Sequence, residues 1–376
     1  MSRVLFAGGG TGGHLYPALA LAEAVRAERA DVQVHFAGAQ RGVEARVLPQ
    51  RNEPHTLLPL LPIFRDRPWR NWRLLPSLTR SFVSLARLFA AFRPRLVVGT
   101  GGYASGPACF YAVTRGVPVA VQEQNSSPGL TTRLLARWAK QVHLGFPEAA
   151  RHLRPGRNTR VLALGNPIRP PDLSLSRVAS RAVFGLSAEA TVVLVVGGSQ
   201  GARAVNESLL SAMRLAREAR VLSWPDRLEI LWATGPAHIE SVSGRLASLG
   251  LGSKVRALSY IEDVPRALAS ADLAVSRAGA MMTAELLAWG VPSLLVPLPT
   301  AAANHQLHNA RALEAAGAAV CLEEATLTPQ LLWSTISELA SDAARREVMA
   351  ASARARAQPD AARAIAHELL TLVPAS

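Results

Sequence analysis

Four glycine-rich segments are the parts of this 376-residue chain whose composition could support chemistry. In one-letter code they read GGGTGGH (8–14), GTGGYASGP (99–107), GGSQGAR (197–203) and SRAGAMM (276–282). Glycine lets a backbone turn sharply and approach a ligand closely, and the N–H groups at the start of a following helix attract an anion. One such segment would fit tight packing as well as binding, but four in one chain predict sites for phosphorylated ligands.

The first segment also satisfies the dinucleotide fingerprint Gly8-x-Gly10-x-x-Gly13. That fingerprint needs a carboxylate about 20 residues further on, at the end of the second strand, to hold a ribose. Here that strand ends FAGAQ (36–40), without an acid, which disfavours a nicotinamide or flavin cofactor. A Walker-type ATPase is excluded because no Gly-Lys-Ser/Thr follows any of the four segments.

The sequence contains no Asp-x-Asp pair, the short motif by which many sugar-nucleotide enzymes hold a divalent metal. We therefore expect no metal and no other cofactor. A leaving diphosphate would instead depend on helix dipoles, backbone amides and arginine.

Two side chains in or near these segments could take part in the chemistry directly. His14 stands at a predicted helix N-terminus, where the neutral imidazole is favoured, as a general base near neutral pH requires; a capping role is equally compatible. Glu285 lies one turn into the predicted helix after the fourth segment, where its carboxylate could bridge two ribose hydroxyls. Taken alone, Glu285 fits better as a first-turn acid that complements the helix dipole.

Short apolar runs that alternate with amphipathic patterns predict the elements that carry these residues. Strands are predicted at 4–7, 32–37, 96–99, 117–121 and 161–164, and again at 192–196, 228–233, 255–259, 273–276 and 293–296. Continuous apolar strands separated by helices indicate parallel sheets covered on both faces. The predicted fold class is α/β, with two Rossmann-like doubly wound parallel-sheet domains that face each other across a cleft.

The overall composition says little about function. The net charge is +14, but only Lys140 and Lys254 are lysines, so the arginine content fits genome bias as well as a polyanionic partner. Cys109 and Cys321 show no metal-ligand or disulfide spacing, which fits a reducing cytosol. The chain enters its first strand without a signal-peptide pattern, and no run of 18 uncharged apolar residues occurs.

Together these motifs, in this order, resemble the MurG family, the N-acetylglucosaminyltransferases of peptidoglycan precursor synthesis. Besides the four glycine-rich segments, the matching motifs are QEQNSSPGLTTRLLA, LGNPIR, SYIEDV and NHQLHNA. The resemblance implies a GT-B fold without a cofactor. It also implies inverting transfer of N-acetylglucosamine from UDP-GlcNAc to the muramyl 4-hydroxyl of undecaprenyl-diphosphate-linked lipid I, giving lipid II.

Three other functions stay open at this point. The first is a glycolipid glycosyltransferase that uses another UDP-sugar and a diacylglycerol acceptor. The second is a UDP-sugar epimerase of the same two-domain shape, and the third is a catalytically silent nucleotide-sugar-binding protein.

The domain boundary is predicted near GNPIRPP (165–171), where three prolines stop both helix and sheet. We expect an N-terminal acceptor- and membrane-binding domain over residues 1–165. By analogy with similar enzymes, a C-terminal helix at about 360–376 crosses back to it. Residues 166–359 would form the UDP-GlcNAc-binding domain.

The resemblance also implies roles for individual residues. His14 is the candidate general base. In the adjoining loop, Thr11, Gly12 and Gly13 would lie close to the donor sugar and the acceptor diphosphate. Asn125 and Arg169 are expected to contact the donor, and Ser199 its diphosphate. Ile261 would contact the uracil and Glu285 the ribose. Gln306, with Asn309 close by, would contact the sugar hydroxyls. Backbone amides would come from Ala280, Met281, Met282, Thr283 and Ala284. The acceptor-diphosphate loop would contain Gly101, Gly102, Tyr103, Ser105 and Gly106.

Two departures from the family pattern affect these roles. His305 stands where some members have a second glutamine before Gln306, which weakens the expected contact to the sugar 4-hydroxyl. Met281-Met282 replaces a Leu-Thr pair, so a hydroxyl contact from that position is lost while backbone contacts remain.

A basic and aromatic segment lies between the first two glycine-rich segments. Residues 65–95 contain eight arginines and one acid, Asp66. The following helix carries an apolar stripe that is expected to pack on the sheet, formed by Leu75, Leu78, Phe82, Leu85, Phe89 and Phe92. The predicted membrane patch consists of Ile63, Phe64, Arg65, Trp69, Trp72, Arg73 and Arg80.

Tryptophan together with arginine suits an anionic headgroup interface. We therefore predict a peripheral enzyme at the cytoplasmic face of the plasma membrane. Its expected partners are UDP-GlcNAc, lipid I, the inner-leaflet surface and cell-wall synthesis proteins, and nucleic acid is not among them.

Overall fold

A computed structural model describes residues 2–61, 69, 72, 74–198, 201–218 and 223–373 of the chain. The chain divides into two compact units. Unit 1 consists of Met1–Arg169 and Gln358–Ser376, and unit 2 of Pro170–Ala357. Among the described residues, no helix has the length and apolar character needed to cross a membrane.

Unit 1 is built on a seven-stranded parallel sheet. Its strands are β1 (Arg3–Ala7), β2 (Gln33–Ala39), β3 (His55–Leu58), β4 (Leu96–Gly99), β5 (Val119–Glu123), β6 (Gln141–Leu144) and β7 (Arg160–Leu162). Its helices are α1 (Gly12–Glu28), α2 (Glu44–Gln50), α3 (Leu74–Phe92), α4 (Gly102–Thr114), α5 (Leu130–Leu135) and the C-terminal α14 (Ala361–Thr371). A 3-10 helix spans Pro147–His152.

Unit 2 is built on a six-stranded parallel sheet. Its strands are β8 (Thr191–Val196), β9 (Leu228–Ala233), β10 (Val255–Leu258), β11 (Leu273–Ser276), β12 (Ser293–Leu295) and β13 (Ala319–Cys321). Its helices are α6 (Arg177–Val183), α7 (Arg203–Glu218), α8 (Ile239–Ser248), α9 (Val264–Ser270), α10 (Ala280–Trp289), α11 (His305–Ala315), α12 (Pro329–Ser341) and α13 (Ala343–Arg356). Short 3-10 helices span Ala302–Asn304 and Glu324–Thr326.

The two sheets have the same doubly wound strand order. It is β3-β2-β1-β4-β5-β6-β7 in unit 1 and β10-β9-β8-β11-β12-β13 in unit 2. In each sheet the order in which strands are added reverses between two neighbouring strands, β1 and β4 in unit 1 and β8 and β11 in unit 2. Ligands of such folds bind outside the carboxyl ends of these strands. The glycine-rich segments follow these four strands, so they lie pairwise at the two positions where this fold binds ligands.

The C-terminal helix α14 completes the outer layer of unit 1. Ile365, Ala366 and Leu369 are buried in one cluster with apolar residues of α1 and β1. The Gln141 side chain on β6 donates a hydrogen bond to the carbonyl of Glu368 at 3.0 Å, and Arg160 on β7 pairs with the Glu368 carboxylate at 2.8 Å. Polar contacts at one end and apolar packing along its face therefore fix the helix on unit 1.

Three strands, β3, β6 and β13, were not predicted: β3 and β6 are short and partly polar, and β13 has only three residues. On β6, Gln141 and His143 are buried side by side, and His143 Nε2 lies 3.0 Å from Gln141 Oε1. Burial, with a smaller contribution from Arg160, lowers the pKa of His143 to about 4. Polar residues that satisfy one another inside a core remove the apolar pattern by which strands are recognised.

The predicted apolar stripe of α3 is wrong at its first residue. Leu75 is 70% exposed, and the buried face of the helix begins instead with Ser77 and Ser81. The Ser77 hydroxyl donates to the carbonyl of Pro59 at 2.6 Å, and that of Ser81 donates to the carbonyl of Ser77 at 2.8 Å. Serine is small and can bond to backbone, so it fits the fully buried positions of this half of the helix, while Leu78 and Phe82 are partly buried and pack against the same core.

Candidate functional site

Loop 1 (residues 8–13), which follows β1, is supported from within unit 1 by Glu44. This side chain is fully buried (0% exposed) at the start of α2. Its carboxylate accepts hydrogen bonds from the backbone N–H of Gly10 at 2.9 Å and of Ala39 at 2.7 Å. A Cβ atom added to Gly9 or Gly38 would collide with it, so these positions must be glycine.

Glu44 was not predicted as a site residue, although a carboxylate that follows Gly38 and Gly42 just after the second strand was a usable signal. The bond to Gly10 has a consequence for binding. Because the Gly10 N–H is already used, an anion at loop 1 is left with the first-turn amides of α1.

Loop 2 (residues 99–107), which follows β4, packs directly on loop 1. Gly101 and Gly102 have φ angles of +96° and +76°, which favour glycine. A Cβ atom on Gly102 would collide with the carbonyl oxygen of Gly9, and one on Gly101 would lie 2.7 Å from His14 Nδ1. The Thr100 hydroxyl also donates to the carbonyl of His14 at 2.8 Å. Loop 2 therefore fixes both the backbone and the ring of His14.

The half-buried His14 ring has one nitrogen engaged and one available. Nδ1 lies 3.2 Å from Oε1 of Gln124, which directly follows β5. Nε2 makes no hydrogen bond within the described part of the chain. An imidazole held at one nitrogen by the protein, with the other nitrogen available, can act as a general base.

The other predicted residues of unit 1 differ in their accessibility. Thr11 and Gly13 are exposed, and Arg169 is exposed at the end of the unit. Asn125 is half-buried, and its backbone N–H and side-chain amide both donate to Glu123 Oε1, at 3.0 and 3.3 Å. Ser105 is fully buried within α4, so its hydroxyl is not presented to a ligand.

Tyr103 is half-buried against Gly10, at the junction of loops 1 and 2. Burial, followed by the nearby Glu44 carboxylate, raises the pKa of its phenol. The hydroxyl therefore keeps its proton at neutral pH and can donate a hydrogen bond.

In unit 2 a cavity of about 620 Å³ opens where loop 3 (residues 197–203) meets loop 4 (residues 276–282). Residues of both loops line it, Met282 of loop 4 among them, together with Ala204, Glu207, Leu298, Gln306 and Glu324. Met282 and Gln306 were predicted as site residues, and the structure brings them together here. The predicted Ser199 lies outside the described residues.

Two arginines of this cavity had no role in the sequence analysis, although both belong to the glycine-rich segments. Arg277 is buried, donates to the carbonyl of Val296 at 3.1 Å and pairs with Glu324 at 2.5 Å, so its charge is already compensated. Arg203 is exposed at the first position of α7 and has no hydrogen bond or ion pair to another described residue. It is therefore the cation that the cavity offers to an anionic ligand.

The remaining predicted donor residues lie around loop 4 and α10. Gln306 uses Oε1 to accept from the N–H of Leu298 at 3.0 Å, which leaves its amide N–H groups for a ligand. The buried Asn309 instead donates to the carbonyl of Ala278 at 3.1 Å and so supports loop 4 rather than contacting a sugar. Thr283 is buried with its hydroxyl bonded back to Gly279 and Ala280.

Five further predicted positions of unit 2 do not line the cavity: Ile261, Ala280, Met281, Ala284 and Glu285. Ile261 is buried just after β10, so it could offer a ligand mainly its backbone. Glu285 is half-buried on the second turn of α10, and Ala280, Met281 and Ala284 lie on the same helix. Within the described ranges, no group of three or more histidine, cysteine or acidic side chains could hold a metal ion.

The described part of the predicted membrane patch is strongly exposed. Trp69 and Trp72 are 71% and 66% exposed, and Arg80 on α3 is exposed as well. Ile63, Phe64, Arg65 and Arg73 lie outside the described residues. The structure adds a second apolar surface on unit 1, at α4 and α5, where the exposed side chains are Phe110, Leu130, Leu134 and Trp138.

Comparison with known proteins places the chain in a family. It matches the glycosyltransferase family 28 N-terminal domain over residues 4–144 and the C-terminal domain over residues 192–365. A curated relative from Salinibacter ruber is named UDP-N-acetylglucosamine–N-acetylmuramyl-(pentapeptide) pyrophosphoryl-undecaprenol N-acetylglucosamine transferase. It is 41% identical over 373 residues, which cover 98% of this chain and 96% of the relative. The relative of the same name from Moorella thermoacetica is 39% identical over 375 residues, 99% of both chains.

The chain belongs to the MurG family.

The crystal structure of MurG from Acinetobacter baumannii agrees with this placement. It superposes on 99% of this chain and 100% of its own with a TM-score of 0.78, at 29% sequence identity. The predicted fold class, two Rossmann-like parallel-sheet domains of the GT-B type, is confirmed, as is the prediction of a glycosyltransferase.

Proposed function

We propose that this chain transfers N-acetylglucosamine from UDP-GlcNAc to the muramyl 4-hydroxyl of lipid I, with inversion, and so produces lipid II for peptidoglycan synthesis. The observation that carries the proposal is the pairing of glycine-rich loops at two strand-order reversals. One pair holds an imidazole with an available nitrogen, and the other surrounds a cavity that contains Arg203, an arginine with no ion pair to another described residue. The names of the relatives describe the same transfer.

In unit 2 the cavity between loops 3 and 4 would take the UDP moiety of the donor. The Arg203 guanidinium and the first-turn amides of α7 and α10 are suited to a diphosphate, since both supply positive charge and N–H donors. Gln306 would direct its amide N–H groups to the sugar hydroxyls. By resemblance, Glu285 would hold the ribose and Ile261 the uracil.

In unit 1 loops 1 and 2 would hold the acceptor diphosphate, with His14 as the base. His14 Nε2 takes the proton of the 4-hydroxyl while that oxygen bonds to the anomeric carbon. The bond from this carbon to the β-phosphate oxygen breaks, and UDP leaves with the electron pair. Attack opposite to the leaving group inverts the configuration, and general-base assistance of this kind contributes about 10²- to 10⁴-fold to the rate.

We further propose that the reaction needs no metal, since Arg203 and two helix N-termini are available to compensate the charge of the leaving diphosphate. The expected result is full activity in EDTA. Metal dependence would contradict this part of the proposal.

Unit 1 is also proposed to dock on the anionic inner leaflet, as a peripheral enzyme at the cytoplasmic face. The support is the exposure of Trp69, Trp72 and Arg80, together with the α4–α5 surface. On that surface the Phe110 and Trp138 rings lie 6.3 Å apart, and Arg133 and Arg137 are exposed nearby in sequence. Each basic residue near such a membrane contributes about 1 kcal/mol.

Co-sedimentation with phosphatidylglycerol vesicles tests the docking. The triple variant Arg65→Ser, Trp69→Ser, Trp72→Ser should bind less than the wild type. A control with Leu173→Ser and Val178→Ser, which removes exposed apolar side chains of unit 2, should bind normally. Undiminished binding of the triple variant would remove the patch from this role.

The transfer itself is tested by offering the full chain radiolabelled UDP-GlcNAc, UDP-glucose or UDP-galactose. Each is paired with a short-chain lipid I analogue or with diacylglycerol, and radiolabel is counted in the lipid product. We expect transfer from UDP-GlcNAc to the lipid I analogue alone. Transfer of glucose or galactose to diacylglycerol would favour the alternative glycolipid synthase, and no label from UDP-GlcNAc in lipid would reject the proposal.

A further inference from the structure

A series of buried side-chain amides begins at the His14 ring and runs into the core of unit 1. Its first member is Gln124, which is 2% exposed and places Oε1 3.2 Å from His14 Nδ1. Gln122 and Asn166, both buried as well, continue the series. None of these three residues had a part in the proposed reaction.

The orientation of the Gln124 amide is fixed by its backbone neighbours. Gln124 Nε2 lies 2.9 Å from the carbonyl oxygen of Thr100 and 3.1 Å from that of Gln122. Carbonyl oxygens only accept hydrogen bonds, so the group that faces them must be the NH₂ group. The opposite orientation would bring the amide oxygen against two carbonyl oxygens, and therefore Oε1 is the atom that faces His14.

The next members of the series support the same orientation. Gln122 Oε1 accepts a hydrogen bond from Gln124 Nε2, and Gln122 Nε2 donates to Asn166 Oδ1 at 3.2 Å. Asn166 Nδ2 in turn donates to the carbonyl oxygen of Gln124 at 3.0 Å. Every amide thus donates with nitrogen and accepts with oxygen in one consistent direction. Reversal of Gln124 alone would leave buried polar groups unpaired, which is costly in a core.

An amide oxygen facing Nδ1 decides which nitrogen of a neutral imidazole carries the proton. Oε1 can only accept, so Nδ1 must be the donor, and Nε2 is left with its lone pair. We infer that Gln124 is a positioning residue that holds His14 in the Nδ1–H tautomer and so presents Nε2 as the unprotonated base. The inference rests on the proposed function only for the step in which Nε2 takes a proton.

The tautomer can be read without any reaction, by nitrogen NMR of the full chain labelled with ¹⁵N-histidine. The His14 signals are assigned as those missing from a His14→Gln spectrum. In the wild type at alkaline pH we expect the proton on Nδ1. Gln124→Met removes the acceptor at similar volume, and we expect the proton to move to Nε2 in a large part of the population.

The kinetic expectation separates positioning from general damage to the core. Gln124→Met should lower kcat about 10- to 100-fold, within the range that general-base catalysis supplies, with KM within about 3-fold of the wild type. The matched control Gln122→Met disrupts the same buried series but leaves the Oε1–Nδ1 contact in place, so it should keep the tautomer.

The outcomes distinguish this inference from the proposed function. A wild-type spectrum with the proton on Nε2 overturns it directly, whether or not any variant folds. It is also overturned if Gln124→Met and Gln122→Met shift the tautomer and kcat alike, since a merely structural role would have that result. A wild-type Nδ1–H tautomer that is lost in Gln124→Met supports it, even if no transfer to lipid I is found and the proposed function fails.

Discussion

The two loop pairs share a sequence signature and a position in the fold, but their interiors differ. In unit 1 the glycines of loops 1 and 2 make room for the protein's own groups, which are the Glu44 carboxylate, the His14 ring and the carbonyl of Gly9. In unit 2, Gly197 and Gly201 also lie against the protein's own backbone, at the nitrogen of Ala202 and the carbonyl of Thr234. A Cβ atom added to Gly198 or Gly279, which line the cavity, would instead meet no described atom within 4 Å, and an open cavity lies between the loops.

This difference shows what can be inferred from a glycine-rich turn. It indicates that some group approaches the backbone closely, but that group can be a side chain from elsewhere in the chain or a ligand. On this view unit 1 is built to hold a catalytic side chain rigidly, and unit 2 to receive a nucleotide.

The largest expected effect is that of a single methyl group on loop 2. Gly102→Ala combines a φ of +76° with a collision against the carbonyl of Gly9, so unit 1 should be destabilised by more than about 4 kcal/mol. Gly279→Ala, at a φ of −68° in open space, should cost no more than about 1 kcal/mol. Urea unfolding of the two variants measures both. Equal losses would contradict the contrast between filled and open loops.

Glu44 should be the next most sensitive position. Glu44→Leu leaves the N–H groups of Gly10 and Ala39 unpaired, at about 1–3 kcal/mol each, so we expect a loss of about 3–5 kcal/mol. Glu207→Leu in unit 2 removes an exposed carboxylate from its ion pair with Arg245, which is worth about 0–1 kcal/mol. Hydrogen exchange of loop 1 should rise in the first variant and not in the second. Unchanged exchange in Glu44→Leu would show that the carboxylate does not support the loop.

Acid should weaken unit 1 before unit 2. Burial keeps His143 neutral in the folded state, with a pKa of about 4 against an ordinary 6.5. The unfolded chain therefore binds the extra proton, and stability falls as pH drops from about 6.5 towards 4 by up to about 3 kcal/mol. His238, His305 and His308 of unit 2 reach solvent. Hydrogen exchange of both units at pH 7 and pH 5 measures the effect, and His143→Leu should reduce it.

The smallest effect concerns the ligand rather than the fold. Arg203→Gln should weaken UDP binding about 10-fold in calorimetry, since one charge-assisted contact contributes about 1.5 kcal/mol. Arg217→Gln makes the same charge change at the other end of α7 and should leave the affinity unchanged. If both variants lose affinity equally, the cause is the net charge of the unit and not a contact in the cavity.

The sequence was sufficient for the fold class and for the location of both loop pairs, because apolar strands and glycine turns are local patterns. It was not sufficient to predict which groups lie against the glycines of the loops. Glu44 reaches loop 1 from α2, and Asn166 reaches Gln124 from a segment more than 40 residues away along the chain. Such contacts depend on strand order, which local patterns do not contain.

Two residues lie in recognisable motifs but do not have the binding role that those motifs predict. Asn309 belongs to a family motif, yet it is buried and supports loop 4. Ser105 belongs to loop 2, yet its hydroxyl faces the interior. In both cases the residue type was compatible with binding or with packing, and only burial distinguishes the two.

The division between a catalytic unit and a nucleotide unit is tested most directly by His14→Ala, assayed for both functions at once. The account predicts a fall in the turnover of UDP-GlcNAc and a lipid I analogue of about 100-fold or more. It also predicts a calorimetric Kd for UDP within about 2-fold of the wild type. Near wild-type turnover, or UDP affinity lost in parallel with turnover, would contradict it.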